Sequence, residues 1–161
     1  MIKKIFFPII VLIAFTACNS KSAFNYSQDI VKKEQSLVPD ITATETKIAE
    51  FLGKEQFDSI AAAGARMEKL VDEKLTELKD QPAPDVKDAA GFKDASVKYF
   101  RFIKSMYTGY KDYGSTATAE ARDEAMTKLR KIVDKKTVAI NDMQNAQKKF
   151  ADANGFKLEG K

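Results

Sequence analysis

The amino-acid sequence predicts an all-α protein: an antiparallel, up-down four-helix bundle preceded by a cleaved leader and a short tether. Three observations predict this class. Four stretches after the leader repeat apolar residues at the spacing of one helix face. No stretch of useful length alternates apolar and polar residues as a half-buried strand does. The connections between the four stretches are short, which favours antiparallel neighbours, and a chain of 161 residues suits one domain.

The first 17 residues have the composition of a secretory signal. Lys3 and Lys4 form a basic start, and thirteen mostly apolar residues follow, from Ile5 to Ala17. A helix needs about 20 residues to span a bilayer, so this run is too short for a permanent membrane segment. The pattern therefore predicts a leader that is removed from the mature chain.

The end of the leader, Phe15 to Cys18, reads FTAC and resembles the lipobox of bacterial lipoproteins, with phenylalanine where leucine is more usual. The resemblance implies cleavage by a type II signal peptidase between Ala17 and Cys18. It also implies a diacylglycerol on the Cys18 sulfur and an acyl chain such as palmitate on the new amino terminus, and two or three chains make a stable anchor. The alternative is a plain secretory signal followed by a chance cysteine.

The lipobox resemblance also gives the expected order of segments. Residues 1–17 are a signal peptide, residues 18–23 a lipidated tether and residues 24–161 the helical bundle domain. Asn19 follows the cysteine in place of the aspartate that is associated with inner-membrane retention of some lipoproteins. The expected location is the cell envelope, lipid-anchored in the outer membrane and facing the periplasm, with surface exposure as the alternative.

The first helical stretch runs from Phe24 to Gly53, and Glu34 and Thr44 interrupt its apolar face. That face repeats at steps of three and four: Ile30, Leu37, Ile41, Ile48 and Phe51. Pro39 removes a backbone donor, so either the helix kinks there or two helices meet. If Pro39 disrupts the helix, an elongated three-helix or coiled-coil hairpin replaces the bundle.

The second stretch, residues 54–79, has its own apolar stripe. Its small residues Ala61 to Ala65 would let a neighbouring helix approach closely. The segment Asp80 to Asp85 contains two prolines and is the clearest loop in the chain.

The third stretch, residues 86–113, is the most strongly patterned, since its aromatic and aliphatic side chains occupy roughly 160° of arc at 100° per residue. The fourth begins with Thr118 as N-cap and has Glu120 and Asp123 in its first turn, where the helix dipole favours anions. Asn154 and Gly155 form its predicted C-cap.

Two further segments, Phe24 to Gln35 and Ala146 to Leu158, resemble the two ends of small all-helical envelope lipoproteins, also described as surface proteins, whose activity is uncharacterised. The resemblance covers about the outer quarters of the mature chain. It implies a helical bundle and no particular activity.

The composition argues against several classes of function. Histidine and tryptophan are absent and Cys18 is the one cysteine, so the usual metal ligands and the usual general base are missing. We therefore predict no metal site, no cofactor and no enzymatic activity. Two of the 27 basic residues lie in the leader, which leaves 25 against 23 acidic residues, and this near balance predicts no nucleic-acid partner.

The aromatic residues indicate one binding surface. Lipidation would hold the start of the first helix at the membrane, so an up-down path places the end of the third helix at a distal tip. We predict a patch for a partner or ligand at that tip: Phe51, Phe57, Tyr107, Tyr110 and Tyr113. Tyrosine is enriched in recognition sites. The alternative is that these rings only cap the core and direct their hydroxyls to water.

The predicted function is a membrane-anchored, non-catalytic binding or structural module of the bacterial cell envelope. Its expected partners are the membrane, through the lipid, and an envelope protein. The alternative is a bundle that sequesters a small apolar ligand or lipid in its interior. The densest basic run, Lys128 to Lys136, keeps the core spacing and is interpreted as a solvated helix face, with contact to anionic lipid as the alternative.

Overall fold

The computed structural model describes residues 11–12 and 18–159, with side chains from Ser20 to Leu158. Five helical segments make up nearly all of this part of the chain: α1 (Cys18–Gly53), α2 (Phe57–Asp80), α3 (Ala89–Ser115), α4 (Ala119–Val133) and α5 (Lys136–Asn154). Two short strands, β1 (Val11–Leu12) and β2 (Leu158–Glu159), pair antiparallel. Apart from β1, the predicted signal peptide lies outside the described residues, as do the lipobox residues before Cys18 and the Cys18 side chain with its expected lipid.

α1 is one continuous helix of 36 residues, which excludes the predicted alternative of two helices meeting at Pro39. The Pro39 ring is exposed, so it does not displace a neighbouring helix. Proline costs a helix one backbone hydrogen bond and crowds the preceding turn, and the packing of α1 on its neighbours overrides that cost.

The segment predicted as a tether, residues 18–23, belongs to the first turns of α1. Ser20 is 7% exposed and Ala23 is 0% exposed. The Ser20 hydroxyl donates a hydrogen bond of 2.7 Å to the carbonyl of Asn154, near the end of α5. The start of α1 is therefore packed against the end of α5.

α2 and α3 approach so closely that their backbones touch at two glycines. A Cβ on Gly64 would lie 2.6 Å from the backbone nitrogen of Lys111, and one on Gly114 would lie 2.4 Å from that of Ala61. These contacts confirm the close approach predicted from the small residues of the second stretch. The early part of α2 meets the late part of α3, so the two helices run in opposite directions.

α1 and α2 also run in opposite directions, as two side-chain contacts indicate. Lys33 donates to Gln81 at 3.0 Å, and Arg66 donates to Asp40 at 2.7 Å. The later position on α1 therefore pairs with the earlier position on α2.

The fourth predicted helix is divided in two, which corrects the expectation of one helix from Thr118 to Asn154. α4 ends at Val133 and α5 begins at Lys136 after a short turn. Leu129, Met143 and Phe150 belong to one apolar stripe with a spacing of seven residues. Lys136 stands at the position of that spacing between Leu129 and Met143. The break between α4 and α5 thus coincides with a charged residue at a position where the stripe would place an apolar one.

Both predicted caps of this region are confirmed. The Thr118 side chain accepts a hydrogen bond of 3.3 Å from the backbone nitrogen of Ala121, which satisfies one free donor at the start of α4. Gly155 ends α5 with φ 70°, a left-handed conformation that glycine adopts without strain.

The end of the molecule where α1 begins is termed the base, and it comprises the start of α1, residues 81–88 and the end of α5. The Asn154 amide donates to the Lys87 carbonyl at 2.9 Å, which joins the α2–α3 loop to α5. Five aromatic rings pack together here, with Phe92 and Phe150 stacked at 4.9 Å and the others edge-on: Phe24, Tyr26 and Phe156. Aromatic side chains are thus not confined to the opposite end.

Candidate functional site

The opposite end of the molecule, termed the tip, is formed by the α1–α2 turn, the end of α3 and the start of α4. It holds an open depression of about 610 Å³, termed the tip cleft. Two segments and one further side chain line the cleft: residues 55–59, residues 114–117 and Arg122. The structure therefore brings part of the predicted aromatic patch together with polar groups from three helices.

The α1–α2 turn forms one wall of the cleft. α1 ends at Gly53, and the backbone of Glu55 then adopts φ 54°, which reverses the chain. The Gln56 nitrogen donates to the Phe51 carbonyl at 2.9 Å and closes the turn. α2 consequently starts at Phe57, directly after the turn.

The end of α3 forms the opposite wall. Gly114 lies against the start of α2, where a Cβ would come within 2.5 Å of the Phe57 carbonyl. This contact brings the rings of Phe57 and Tyr113 together edge to face, with centroids 5.9 Å apart. The glycine thus determines how closely the two aromatic residues approach.

Arg122, in the first turns of α4, covers the Phe57 ring. Its guanidinium carbon lies 4.0 Å from the ring centroid, which is cation–π geometry. The same guanidinium donates to the Ala117 carbonyl at 3.4 Å. A guanidinium carries five N–H donors, so others are available for a partner at the cleft.

The five predicted patch residues lie in three places. Phe57 lines the tip cleft with Tyr113 beside it, and both are half-buried. Tyr107 and Tyr110 lie earlier in α3, away from the tip, with ring centroids 6.3 Å apart, and Tyr107 is 1% exposed. Phe51 is half-buried at the end of α1. Tyr107 therefore belongs to the core and is not part of an accessible surface.

A buried polar cluster surrounds Tyr107. Its hydroxyl is buried beside the Glu45 carboxyl, with which it interacts. Burial raises the pKa of the nearby Glu45 carboxyl to about 7, although Lys136 and Tyr107 act in the opposite direction. Burial also lowers the pKa of Lys136, and burial together with Glu45 raises the pKa values of Tyr107 and Tyr110. The cluster joins α1, α3 and α5 below the tip.

A second acid–tyrosine pair lies closer to the base. The Tyr99 hydroxyl donates a hydrogen bond of 2.9 Å to the Glu34 carboxylate. Burial raises the pKa of Glu34, and the bond from Tyr99 partly opposes that effect. Glu34, predicted as a polar interruption of the α1 stripe, is therefore a half-buried carboxylate that accepts a hydrogen bond from α3.

The groups at the tip cleft suit recognition. They include the Arg122 guanidinium, the carboxylates of Glu55 and Asp58, and hydroxyls on Ser59 and Thr116. Within residues 20–158, no group of three or more His, Cys, Asp or Glu side chains is arranged to hold a metal ion. These side chains can form ion pairs and hydrogen bonds with a partner around an aromatic centre.

The sequence-based prediction missed Arg122 and Glu45. A basic residue near the start of a helix interacts unfavourably with the helix dipole. The position of Arg122 in the first turns of α4 was therefore the one sequence feature that pointed to a compensating contact, which the structure shows to be Phe57. Glu45 adjoins Thr44 in the apolar stripe of α1, and no sequence pattern distinguishes it from an exposed glutamate.

Two open grooves flank α3 on the side of α4 and α5. The groove between α3 and α5 has a volume of about 830 Å³ and includes Phe102, Ala139 and Val138, the last of which is 59% exposed. The groove between α3 and α4 has a volume of about 490 Å³ and includes Leu129. Both are surface grooves that open to solvent.

Comparison of the chain with protein-family models, with curated proteins and with solved structures finds no match. In the part of the chain that the structure describes, no helix combines the length and the apolar character needed to cross a membrane.

Proposed function

We propose that this protein is a lipid-anchored, non-catalytic binding module of the bacterial cell envelope, held at the outer membrane through Cys18 and facing the periplasm. The lipobox-like sequence before Cys18 supports the anchor. The all-helical fold and the opposite directions of neighbouring helices support an up-down bundle, with its base at the membrane and its tip away from it.

The observation that carries the binding role is the Arg122 guanidinium stacked on Phe57 in the open tip cleft. Arginine and aromatic residues dominate the energetics of many protein interfaces, and hydroxyl groups around them supply directional hydrogen bonds. The cleft is open and mixed in polarity, which suits a surface of another protein. The proposed partner is therefore an envelope protein.

The anchor is tested with Cys18→Ser and labelled palmitate. We expect the unmodified chain to incorporate label and to fractionate with membranes, and the variant to lose both properties, because the thioether cannot form without the sulfur. A variant that remains membrane-bound, with label entering the unmodified chain at another site, would contradict the proposal.

The tip site is tested by placing a photo-crosslinking amino acid at Thr116 in cells. We expect a discrete adduct, and we expect Arg122→Ala to lower its yield about fivefold, since loss of an arginine from the centre of an interface commonly costs at least about 1 kcal/mol. Arg130→Ala is the matched control because Arg130 is exposed on the same helix and does not line the cleft. Absence of an adduct, or equal losses in both variants, would argue against a tip site.

A second candidate function is binding of a small apolar ligand, and the groove between α3 and α5 is the observation that favours it. A fluorescent fatty acid added to the Cys18→Ser protein would bind there, and Val138→Asp would weaken the binding. Val133→Asp is the control, since Val133 is exposed outside this groove. Equal binding by both variants would exclude the groove.

A further inference from the structure

We propose that the base of this protein lies directly on the bilayer, so that the α2–α3 loop and the segment after α5 contact lipid headgroups. The inference rests on the proposed lipidation of Cys18. The partner is the surface of the same bilayer that holds the acyl chains, and the protein is held there with a fixed orientation rather than on a loose linker.

Very little chain separates the anchor residue from the folded domain. α1 begins at Cys18, and the Ser20 hydroxyl is already bonded to the Asn154 carbonyl at 2.7 Å. Ala23 is fully buried. Two helical residues advance about 3 Å, so the lipid-bearing residue lies within a few ångströms of a packed position.

The base surrounds this anchor point. Asn154, which accepts from Ser20, also donates to the Lys87 carbonyl at 2.9 Å. The ring of Phe156 packs on Phe24 with centroids 6.0 Å apart. The α2–α3 loop and the chain after α5 are therefore fixed beside the start of α1.

The base combines apolar residues with exposed charges of both signs. The loop is short and partly apolar, with Ala83 and Val86 packed against the core. Exposed side chains of both signs surround it: Lys21, Asp80, Asp85, Lys87 and Lys157. A surface of mixed charge has no strong attraction of its own for anionic lipid, so the anchor and the absence of a linker bring it to the headgroups.

The tip provides an internal reference for the test. The 36 residues of α1 extend about 54 Å at 1.5 Å per residue, which is far beyond the headgroup layer. Ser115 is exposed at the tip, and Ala83 lies in the loop at the base. A probe at Ala83 should therefore contact the headgroup layer, whereas a probe at Ser115 should not.

The experiment uses the full, lipidated chain in phosphatidylcholine vesicles that contain a headgroup nitroxide. An environment-sensitive dye is attached through Ala83→Cys or, in a separate variant, through Ser115→Cys. Labelling is specific because acylated Cys18 has no free thiol, and mass spectrometry checks the acylation. We expect the nitroxide to quench the emission at Ala83→Cys and not at Ser115→Cys.

A linker variant separates close docking from anchoring alone. Ten Gly and Ser residues inserted between Asn19 and Ser20 leave the lipobox unchanged and release the base from the bilayer. We expect this insertion to abolish the quenching at Ala83→Cys while the vesicle-bound fraction stays the same.

Each result has one meaning. Acylated protein with an unquenched Ala83→Cys, or with quenching that the linker does not change, overturns the docking inference and leaves the proposed anchor intact. Quenching that disappears at high salt shows an electrostatic contact and also overturns it. A chain without acylation at Cys18 contradicts the proposed function itself.

Discussion

Polar side chains within the apolar stripe of α1 connect this helix to α2 and α3. Glu34 accepts a hydrogen bond from Tyr99, and Thr44 donates to the Met67 sulfur at 3.9 Å. Glu45 lies in the buried cluster around Tyr107. Because a buried polar group is costly without a partner, these positions determine how α1 is aligned against its neighbours.

Because of Glu45, the free energy of unfolding should depend on pH near neutrality. Its pKa is raised from 4.5 to about 7 by burial, so its contribution to stability is complete below about pH 4.5 and is lost as the pH rises through 7. Water reaches part of the carboxyl and screens it, so we expect a loss on the order of 1 kcal/mol between pH 5 and 8.

Urea unfolding at several pH values measures this effect. Glu45→Gln should flatten the profile over this interval, because the amide has no charge to lose. Glu50→Gln is the control, since Glu50 is an exposed glutamate on the same helix. Parallel profiles for the unmodified chain and Glu45→Gln would show that Glu45 does not titrate in this range.

Two glycines of α3, Gly91 and Gly114, should respond in opposite ways to substitution by alanine. Gly114→Ala should destabilise the protein by about 1–3 kcal/mol, because the new methyl group meets the α2 backbone within 2.4 Å. Gly91→Ala should stabilise it by about 0.5–1 kcal/mol, since no atom lies within 4 Å of its Cβ and alanine favours a helix. Denaturant midpoints measure both, and a neutral Gly114→Ala would contradict the close packing.

Among the helices, α4 is the least embedded. Leu129 is its one buried residue, and the leucine rests on Gly109 of α3, where a Cβ would lie 2.8 Å from its Cδ1. α5, by contrast, contributes several residues to the core, including Met143 and Phe150. α4 is therefore held to the rest of the molecule mainly by Leu129, by the half-buried Ile132 that packs against the core, and by Arg122 on Phe57 at the tip.

Leu129→Ala should release α4 while the rest of the fold persists. Removal of a buried leucine ordinarily costs about 2–5 kcal/mol, and here the loss falls on a segment with little other burial. Hydrogen exchange should show loss of protection at residues 121–133 and little change in α2 and α3. Thr127→Ala, at an exposed position of the same helix, is the control, and loss of protection throughout the chain would refute the local attachment.

The helices were predictable from the sequence wherever apolar spacing and end signals agreed. Thr118, Gly53 and Gly155 marked true ends, and the small residues around Gly64 predicted the close contact with α3. The division between α4 and α5 was not predictable, because no glycine or proline marks it and a single charged residue in the apolar spacing, Lys136, does not by itself end a helix. The helical start at Cys18 was missed because its buried face is set by α5, far along the chain.

At the scale of the whole molecule, aromatic side chains occupy both ends and perform different roles. At the base they form a closed cluster around Phe150, whereas at the tip Phe57 remains partly open under Arg122. The spacing of aromatic residues predicted the helix face on which they lie. It did not predict that Tyr107 points into the core, because that depends on how α1 covers α3.

The close contact of α2 and α3 has a consequence for the order of folding. These helices are joined by a short loop and touch at Gly64 and Gly114, so the hairpin requires the closure of only a small loop. The bond from Ser20 to Asn154, in contrast, joins residues 134 positions apart. We expect pulsed hydrogen exchange during refolding to protect α2 and α3 first and the base last. The start of α1 and the end of α5 are then the final pieces to assemble, and a refolding molecule passes through a stage with a formed hairpin and an open base.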